Sequence, residues 1–294
     1  MNDLIDRMLG GDRVALAKLM SRAESEASDV PAIMARIAPR CGRGLTLGVT
    51  GPPGAGKSTL VDRVIARLRA AGRSIGVIAV DPSSPFTGGA VLGDRIRMQH
   101  HSLDPGVFIR SLSTRGRRGG LARATRQVAR LLDAFGKQEI IIETVGVGQT
   151  ELDIMEVTRT VVVVLVPEAG DTIQVMKAGL LEIAHVFVVN KADRDGALRM
   201  KSELEGMLQL RPGAAWSVPV VLTEATQDRG IDELMAAIAA HRAHLAHDGT
   251  ATRAAAEHRQ REFLDVLEGT LYGRVEKGVA TRFASLLARV RSGE

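Results

Sequence analysis

The chain has 294 residues, which allows one large α/β domain with extensions or two small domains. Hydrophobic residues make up 45% of it, enough for a buried core, and the single cysteine, Cys41, excludes an intrachain disulfide framework or a CxxC metal site. The net charge of +5 is spread along the chain. Its densest basic segment, 110–130, contains no aromatic residue, so we expect no nucleic-acid partner.

Targeting signals are the next class that the sequence argues against. The amino-terminal residues include acids and no long apolar run, and no segment approaches 18 consecutive apolar residues. We therefore expect neither a secretory signal nor a membrane partner. A lone cysteine fits a reducing compartment, so we expect a cytoplasmic protein.

Residues 1–43 are predicted to form a helical amino-terminal extension. Apolar residues recur at helical spacing on both sides of Gly10 and Gly11, where the pattern breaks. Pro31 and Pro39 then interrupt the route to the first predicted strand.

The stretch that begins at Gly51 matches G-x-x-x-x-G-K-[ST], the phosphate-binding loop of nucleoside triphosphatases. A short apolar and β-branched strand is predicted before it, at 45–50, and an amphipathic helix after it, at 58–71. The residues predicted to bind the nucleotide here are Gly51, Pro52, Pro53, Gly54, Ala55, Gly56, Lys57, Ser58 and Thr59.

The strand, the loop and the helix start each have a physical role in holding phosphate. Glycines let backbone N–H groups curl around phosphate oxygens, and the helix start adds unpaired donors and a positive dipole end. Lys57 is predicted to reach the β- and γ-phosphates as a catalytic cation, and the Ser58 hydroxyl to ligate Mg²⁺.

The rest of the chain to residue 247 alternates between strand and helix patterns. Such alternation predicts an α/β fold with a mostly parallel, Rossmann-like sheet, and ligands bind beyond the carboxyl ends of its strands. We assign 44–247 to this P-loop domain. The later predicted strands are 74–80, 107–112, 139–143, 161–166, 185–189 and 218–222, and the later predicted helices are 121–135, 172–183, 196–209 and 231–245.

After residue 247 the strand patterns stop. Residues 248–294 are predicted to form a helical carboxy-terminal arm, with an apolar stripe between residues 251 and 291. That stripe either packs on the domain or forms a subunit interface, and we assign the arm to dimerisation of a homodimer.

A second motif, Asn190-Lys191-Ala192-Asp193, follows a predicted strand and matches the N-K-x-D guanine-recognition motif of GTPases. A carboxylate at Asp193 can accept hydrogen bonds from guanine N1–H and its exocyclic amine, which adenine does not offer. The next such loop contains Thr223 and Ala225, whose backbone N–H is predicted to donate to guanine O6. Glu224 lies between them, where GTPases usually have a small residue.

Magnesium needs hard oxygen ligands, and the candidates are Ser58, Asp81, Asp94 and Glu143. Glu143 ends a buried apolar strand, where an acid needs a partner, and it is also a catalytic candidate. Glu143-x-x-Gly146 resembles the D-x-x-G γ-phosphate sensor with Glu for Asp, so Gly146 is predicted to contact the nucleotide. Gln149 either positions the attacking water or is an ordinary polar loop residue.

Taken together, these motifs resemble the MeaB/ArgK family of P-loop GTPases. The resemblance is carried by GPPGAGKST, DPSSPFTGGAVLGDR, STRGRRGGLARAT, IIIETVGVGQTE, GDTIQVMKAG and NKAD, and it covers roughly residues 45–240. It implies a slow GTPase that binds GTP, GDP and Mg²⁺ and is typically a homodimer. It also implies a chaperone of adenosylcobalamin-dependent acyl-CoA mutases such as methylmalonyl-CoA mutase, gating cofactor loading and protecting or reactivating the enzyme. Within GDTIQVMKAG, the resemblance implies that Lys177 assists GTPase activation when the mutase binds.

Other interpretations remain open at the level of sequence. One is a nickel-delivery GTPase, although such proteins bind metal through Cys and His clusters and Cys41 is far from His100 and His101 in the sequence. Another is a kinase acting on a periplasmic-transport protein, an older proposal for part of the family. A third is a GTP-binding module without an enzyme partner.

Overall fold

The computed structural model describes residues 2–81, 99–101, 103–113, 120–144, 157–167, 179–210 and 215–247, together with Leu267 and Arg289. Its strands are β1 (Leu45–Thr50), β2 (Ile75–Asp81), β3 (Val107–Ser113), β4 (Glu139–Thr144), β5 (Thr160–Leu165), β6 (Val186–Asn190) and β7 (Val220–Thr223). Its α-helices are α1 (Asn2–Leu9), α2 (Arg13–Glu24), α3 (Val30–Ile37), α4 (Lys57–Ala70), α5 (Gly120–Ala134), α6 (Leu180–Ile183), α7 (Ala197–Gln209) and α8 (Ile231–His247). Short 3₁₀ turns lie at Ala38–Arg40, Gln99–His101 and Ala225–Gln227.

The described strands form one sheet in the order β3-β2-β4-β1-β5-β6-β7, and every neighbouring pair is parallel. This confirms the predicted α/β fold. The central strand is β1, which pairs with β4 on one side and β5 on the other. The carboxyl end of β1, where the phosphate-loop motif begins, is therefore flanked by the ends of two other strands.

Apolar side chains cover both faces of the sheet, as parallel strands require. On β4, Ile140 and Ile142 belong to one buried cluster and Ile141 to the other, since successive side chains of a strand point to opposite faces. The first cluster includes residues of α1, α2, α3, α5 and α7. The second includes residues of α4 and α8.

The amino-terminal extension contains α1, α2 and α3; α1 packs against α2, and α2 and α3 pack against α5. The break at Gly10 and Gly11 separates α1 from α2, whose start is capped by the Asp12 carboxylate accepting from two backbone amides. Pro31 lies within the first turn of α3, where its missing N–H has no helical partner to lose. On β3, the Arg110 guanidinium donates to the Glu24 carboxylate of α2 at 2.6 Å, tying the extension to the sheet.

A polar cluster lies at the amino ends of the strands. Glu139, buried at the start of β4, accepts from Arg242 of α8 at 2.8 Å and from Arg73 at 3.3 Å. Just before the start of β6, the ring of His185 lies against that of His241 of α8, with centroids 4.2 Å apart and planes tilted by 32°. His185 Nδ1 accepts from the Val161 amide at 3.0 Å.

Observed and predicted elements differ mainly at their ends. Asn190 and Thr223 are the last residues of β6 and β7 rather than the first residues of the loops. The same holds for Asp81 in β2. Within the predicted helix 172–183, the described part is helical at Leu180–Ile183. None of the described helices is long and apolar enough to span a membrane.

The chain divides into two compact units, Met1–Ala243 and His244–Glu294. The second unit starts close to the predicted domain boundary at 247, and the arm's role in dimerisation stays a prediction. Leu267 and Arg289 are helical, and the remainder of the predicted helical stretch 251–291 lies outside the described residues.

Candidate functional site

The phosphate-loop motif joins the end of β1 to the start of α4. Gly56 precedes the helix in the left-handed region, with φ of 86°, and no side chain caps the helix start. A Cβ at this position would collide with the side-chain amide of Asn190, so glycine is required both for the backbone angle and for the space. The uncapped amide groups of the first turn of α4 are the donors with which such a loop meets an anion.

The side chain of Lys57, the first residue of α4, is hydrogen-bonded to the phosphate loop. Its ammonium donates to the backbone carbonyls of Gly51 at 2.8 Å and Pro52 at 2.9 Å, and the residue is 7% exposed. These carbonyls keep a positive charge at the mouth of the loop. A bound phosphate would offer the ammonium stronger, charged acceptors at the same place.

Ser58 and Glu143 meet between α4 and β4. The serine hydroxyl donates to Glu143 Oε1 at 2.7 Å, and both residues are buried. This pair contains two of the four predicted metal ligands, and both are hard oxygen donors of the kind that Mg²⁺ prefers. Among the residues that the structure describes, no group of three or more His, Cys, Asp or Glu side chains could hold a metal ion.

One residue away, a threonine pair links the same two strands. Thr144 Oγ1 donates to Thr50 Oγ1 at 2.8 Å, in a buried position between β4 and β1. This contact joins the base of the phosphate loop to the start of the Glu143-x-x-Gly146 segment. Sequence reasoning missed it, although both threonines directly adjoin motif residues.

Asn190 connects the phosphate loop to the loop after β7. Its Nδ2 donates to the Ala55 carbonyl at 2.8 Å. Its Oδ1 accepts from Thr223 Oγ1 at 3.0 Å and from the Ala225 amide at 3.1 Å. A single buried amide group therefore fixes the relative positions of two loops that follow different strands.

The other residues of the N-K-x-D motif follow the end of β6. Lys191 adopts a left-handed backbone, with φ of 57°, and Asp193 is exposed. The Ala192 amide donates to the Thr223 carbonyl at 3.0 Å, which keeps the motif beside the loop after β7. Exposure leaves the Asp193 carboxylate accessible to a ligand.

Glu224, the departure from the usual small residue, is engaged within its own loop. Its carboxylate accepts from Arg229 Nη1 at 3.2 Å, and the backbones of the two residues form an isolated bridge. This loop, residues 224–230, is called the base loop below. Ala225 within it is buried, and its amide, the predicted donor to guanine O6, donates to Asn190.

Helix α4 makes further contacts with the base loop. Arg63 Nε donates to the Ala225 carbonyl at 3.1 Å. Arg67 donates to Asp228 at 2.9 Å and to Asp232 at 2.7 Å, and its hydrogen bonds to Asp232 and then to Asp228 raise its pKa. Sequence reasoning missed both arginines, because their partners are more than 160 positions away.

The same helix is also tied to the segment that leads into β3. His101 Nε2 lies 3.0 Å from Asp62 Oδ1. Arg69 and Asp104 form a two-point pair at 2.8 and 2.9 Å, and the hydrogen bond from Arg69 lowers the pKa of Asp104. Helix α4 thus contacts structure on both sides of the phosphate loop.

Several predicted site residues lie outside the described part of the chain. These are Asp94, Gly146, Gln149 and Lys177, and the side chain of Asp81 is likewise not described. Of the others, the structure places Lys57, Ser58 and Glu143 at the phosphate loop, and Asn190 joins that loop to Thr223 and Ala225. Arranged in this way, the described groups can hold a phosphate chain and present loops to a base.

The sequence as a whole identifies the family. Residues 16–280 match the family described as methylmalonyl-CoA mutase-associated GTPase MeaB. The chain belongs to this family. It is a GTPase, and it binds guanine nucleotides as members of the family do.

Individual relatives agree with this assignment. The chain is 47% identical over 295 residues to a Pyrococcus abyssi protein named as a GTPase, covering 99% of this chain and 91% of the relative. It is 38% identical over 193 residues to the mouse mitochondrial methylmalonic aciduria type A homolog, covering 64% of this chain and 46% of that protein. A crystal structure described as a LAO/AO transport system kinase shares the fold, with a TM-score of 0.71 at 27% identity, covering 99% of this chain and 92% of that one.

Proposed function

We propose that this GTPase is a chaperone that gates adenosylcobalamin loading into an acyl-CoA mutase and protects or reactivates that enzyme. Methylmalonyl-CoA mutase is the foremost candidate partner. The observation that carries the proposal is the match of residues 16–280 to a family described by its association with that mutase. The nucleotide chemistry below supplies the two states that such a chaperone needs.

Lys57 is the proposed catalytic cation. Its ammonium, held by the Gly51 and Pro52 carbonyls, would exchange these neutral acceptors for oxygens of the β- and γ-phosphates. A fixed positive charge at the phosphate chain stabilises the charge that develops on phosphoryl transfer. Because the ammonium is already held at the loop, little reorganisation is needed when GTP binds.

Ser58 and Glu143 are proposed to hold Mg²⁺, with Asp81 and Asp94 as further ligands. A bound Mg²⁺ would neutralise phosphate charge, and it keeps several waters besides its protein ligands. The 2.7 Å hydrogen bond to Glu143 orients the Ser58 hydroxyl, so that its oxygen lone pairs have a defined direction. Glu143 would thereby also orient the other proposed ligand of the ion.

Base recognition is proposed to rest on Asp193, with Lys191 along the base plane. Asn190, Thr223 and Ala225 hold the neighbouring loops in place. The exposed Asp193 carboxylate can accept from guanine N1–H and its 2-amino group, whereas adenine would leave it unpaired.

Three segments are proposed to report the state of the nucleotide: 81–97, 143–151 and 170–178. Gly146 would contact the γ-phosphate, Gln149 would position water, and Lys177 would assist hydrolysis when a mutase is bound. A partner can be driven only by the difference between its affinities for the GTP and GDP forms. Three reporting segments around one nucleotide would provide that difference.

Residues 248–294 are proposed to contribute to a homodimer, because the sequence predicts a helical arm with an apolar stripe after the last strand. Light scattering at micromolar concentration tests this proposal. A protein that stays monomeric with GTP and with GDP would contradict it.

The decisive experiment is GTP hydrolysis with and without each candidate mutase, namely methylmalonyl-, ethylmalonyl- and isobutyryl-CoA mutase. We expect one mutase to raise turnover and to form a nucleotide-dependent complex in gel filtration. Lys177→Ala should reduce the stimulated rate much more than the basal rate. Lys201→Ala, which removes an equal charge from the partly exposed face of α7, should change neither rate. If the rates were equal with every mutase and no complex formed in either nucleotide state, the proposed chaperone function would be wrong and only the GTPase activity would stand.

A further inference from the structure

The central strands β1 and β4 stop pairing where the phosphate loop begins. The register between them ends with Val49 opposite Glu143. The next residue of each strand pairs outward, Thr50 with a residue of β5 and Thr144 with a residue of β2. A hydrogen bond between side chains, from Thr144 Oγ1 to Thr50 Oγ1 at 2.8 Å, continues the contact between the two strand ends.

Glu143 and Thr144 use opposite faces of the sheet. The Glu143 carboxylate lies toward α4, where its Oε1 accepts from the Ser58 hydroxyl at 2.7 Å. Thr144 is the next residue of the strand, so its side chain points to the other face. The end of β4 is thus hydrogen-bonded to both ends of the phosphate-loop motif, to Ser58 on one face and to Thr50 on the other.

The packing on this face does not itself call for hydroxyl groups. Thr50 is 0% exposed and Thr144 is 3% exposed, and Ile140 and Ile142 precede Thr144 on the same face in an apolar cluster. Valine has the same branched shape and suits a strand equally well. A buried hydroxyl costs free energy unless it is hydrogen-bonded. The threonine pair therefore contributes a directed link between two strand ends, which a valine pair would not provide.

We propose that Thr144 is a positioning residue for the Mg²⁺ site, acting through Glu143. Its hydrogen bond to Thr50 fixes the end of β4 against β1, and so fixes the place from which the Glu143 carboxylate reaches Ser58. The inference rests on the proposed roles of Ser58 and Glu143 as metal ligands. It concerns nucleotide binding by the GTPase itself, so it is independent of any mutase partner.

The test measures the affinity of the full-length protein for GDP by calorimetry, once with Mg²⁺ and once with EDTA. The ratio of the two affinities is called the Mg²⁺ gain below. Thr144→Val keeps the branched shape and loses the hydroxyl. We expect it to lower the Mg²⁺ gain about fivefold, as the loss of one hydrogen bond would. The affinity in EDTA should change less than about twofold, because the phosphate loop itself is unaltered.

Two further variants make the result specific to this hydroxyl. Thr144→Ser keeps the donor and should recover most of the Mg²⁺ gain. Thr160→Val is the matched control, because it removes a buried threonine hydroxyl from β5 at the other end of the sheet, where Oγ1 lies 3.0 Å from His241 Nδ1. We expect this control to lower stability and to leave the Mg²⁺ gain unchanged.

A double substitution tests whether the two threonines act as a pair. Thr50→Val and Thr144→Val each leave one buried hydroxyl without this partner, whereas the double variant removes both hydroxyls. Urea unfolding should therefore find the double variant at least as stable as either single variant. Its Mg²⁺ gain should equal that of Thr144→Val, since both proteins lack the same hydrogen bond.

Other outcomes would overturn the proposal. If Thr144→Val weakened GDP binding equally with Mg²⁺ and with EDTA, Thr144 would have only a general structural role. The same conclusion would follow if Thr160→Val lowered the Mg²⁺ gain as much. A wild-type protein without a Mg²⁺ gain would remove the proposed metal site and this inference with it. A wild-type gain that Thr144→Val left unchanged would overturn the inference alone, and failure of mutase stimulation would leave it intact.

Discussion

At the scale of single residues, base recognition is proposed to depend on one exposed carboxylate. Asp193 lies in the loop after β6, beside a hydrogen-bonded framework built by Asn190. The framework does not itself distinguish guanine from adenine, because most of its hydrogen bonds are internal. The division of roles is therefore that Asn190 builds the site and Asp193 selects the base.

We predict that Asp193→Ala weakens GDP binding by about a hundredfold or more, because the two donors of guanine lose a charged acceptor. ADP affinity should hardly change, since adenine does not use this carboxylate. Calorimetry with both nucleotides measures the effect. Wild-type affinities for ADP and GDP of similar size would contradict the assignment.

Lys57→Ala is predicted to abolish GTP hydrolysis, because the phosphate chain loses its fixed positive charge. Phosphate release under saturating GTP and Mg²⁺ measures the loss. The variant is expected to fold, since alanine is a good helix former at the first residue of α4. Turnover at the wild-type rate would show that the phosphate-loop role is wrong.

Some site residues could be recognised from sequence and others could not. Lys57, Ser58 and Asn190 belong to short motifs whose spacing follows from local chemistry. Arg63 is different, because its partner Ala225 is 162 positions away and only the folded chain brings them together. The Thr50 and Thr144 pair is likewise a product of strand order rather than of local pattern.

At the scale of elements, the strands were predictable because each is a short apolar run that ends near a motif. Their ends shifted by one or two residues where polar residues continue the strand. Asn190 and Thr223 are polar, so pattern assigns them to loops, yet they pair with each other at the end of neighbouring strands. The buried side chains of Asn190 and Thr223 form a hydrogen bond with each other, which offsets the free-energy cost of burying polar groups in a strand.

The turn between the base loop and α8 gives a prediction for an element boundary. Gly230 has φ of 73°, and a Cβ there would collide with the backbone carbonyl of Leu222 in β7. Gly72, after α4, has nearly the same φ, 74°, and open space around the added atom. Gly72→Ala should therefore cost about 1 kcal/mol of unfolding free energy from backbone strain alone.

Gly230→Ala should cost about 3 kcal/mol, because steric displacement of β7 adds to the same strain. It should also weaken GDP binding, since the base loop begins at the end of β7. Urea unfolding of the two variants measures the difference. Equal losses of stability would mean that the turn relaxes without moving the strand.

At the scale of the whole molecule, the buried His185 makes the free energy of unfolding depend on pH. Burial lowers the pKa of His185 from its ordinary 6.5 to about 4. Between these values the unfolded chain binds a proton that the folded protein does not, so stability falls as pH decreases from 6.5 to 4. The loss attributable to His185 is at most about 3 kcal/mol.

His185→Asn is predicted to flatten this part of the profile, because its side-chain oxygen can accept from the Val161 amide without titrating. The midpoints of urea unfolding, measured for both proteins between pH 7 and pH 4, give this difference. Titration of the carboxylates contributes equally to the two profiles and cancels in the comparison. Parallel profiles for the two proteins would show that His185 does not control acid sensitivity.

The position of β1 in the sheet has a consequence for synthesis of the protein. This strand is among the first parts of the domain to leave the ribosome, yet Leu45 pairs with Glu139 and Thr50 with Val163. At typical translation rates β5 follows on the order of ten seconds later. We expect the nascent phosphate loop to stay unsupported during that interval, so that a truncated chain ending before β5 would carry the complete motif and no working site.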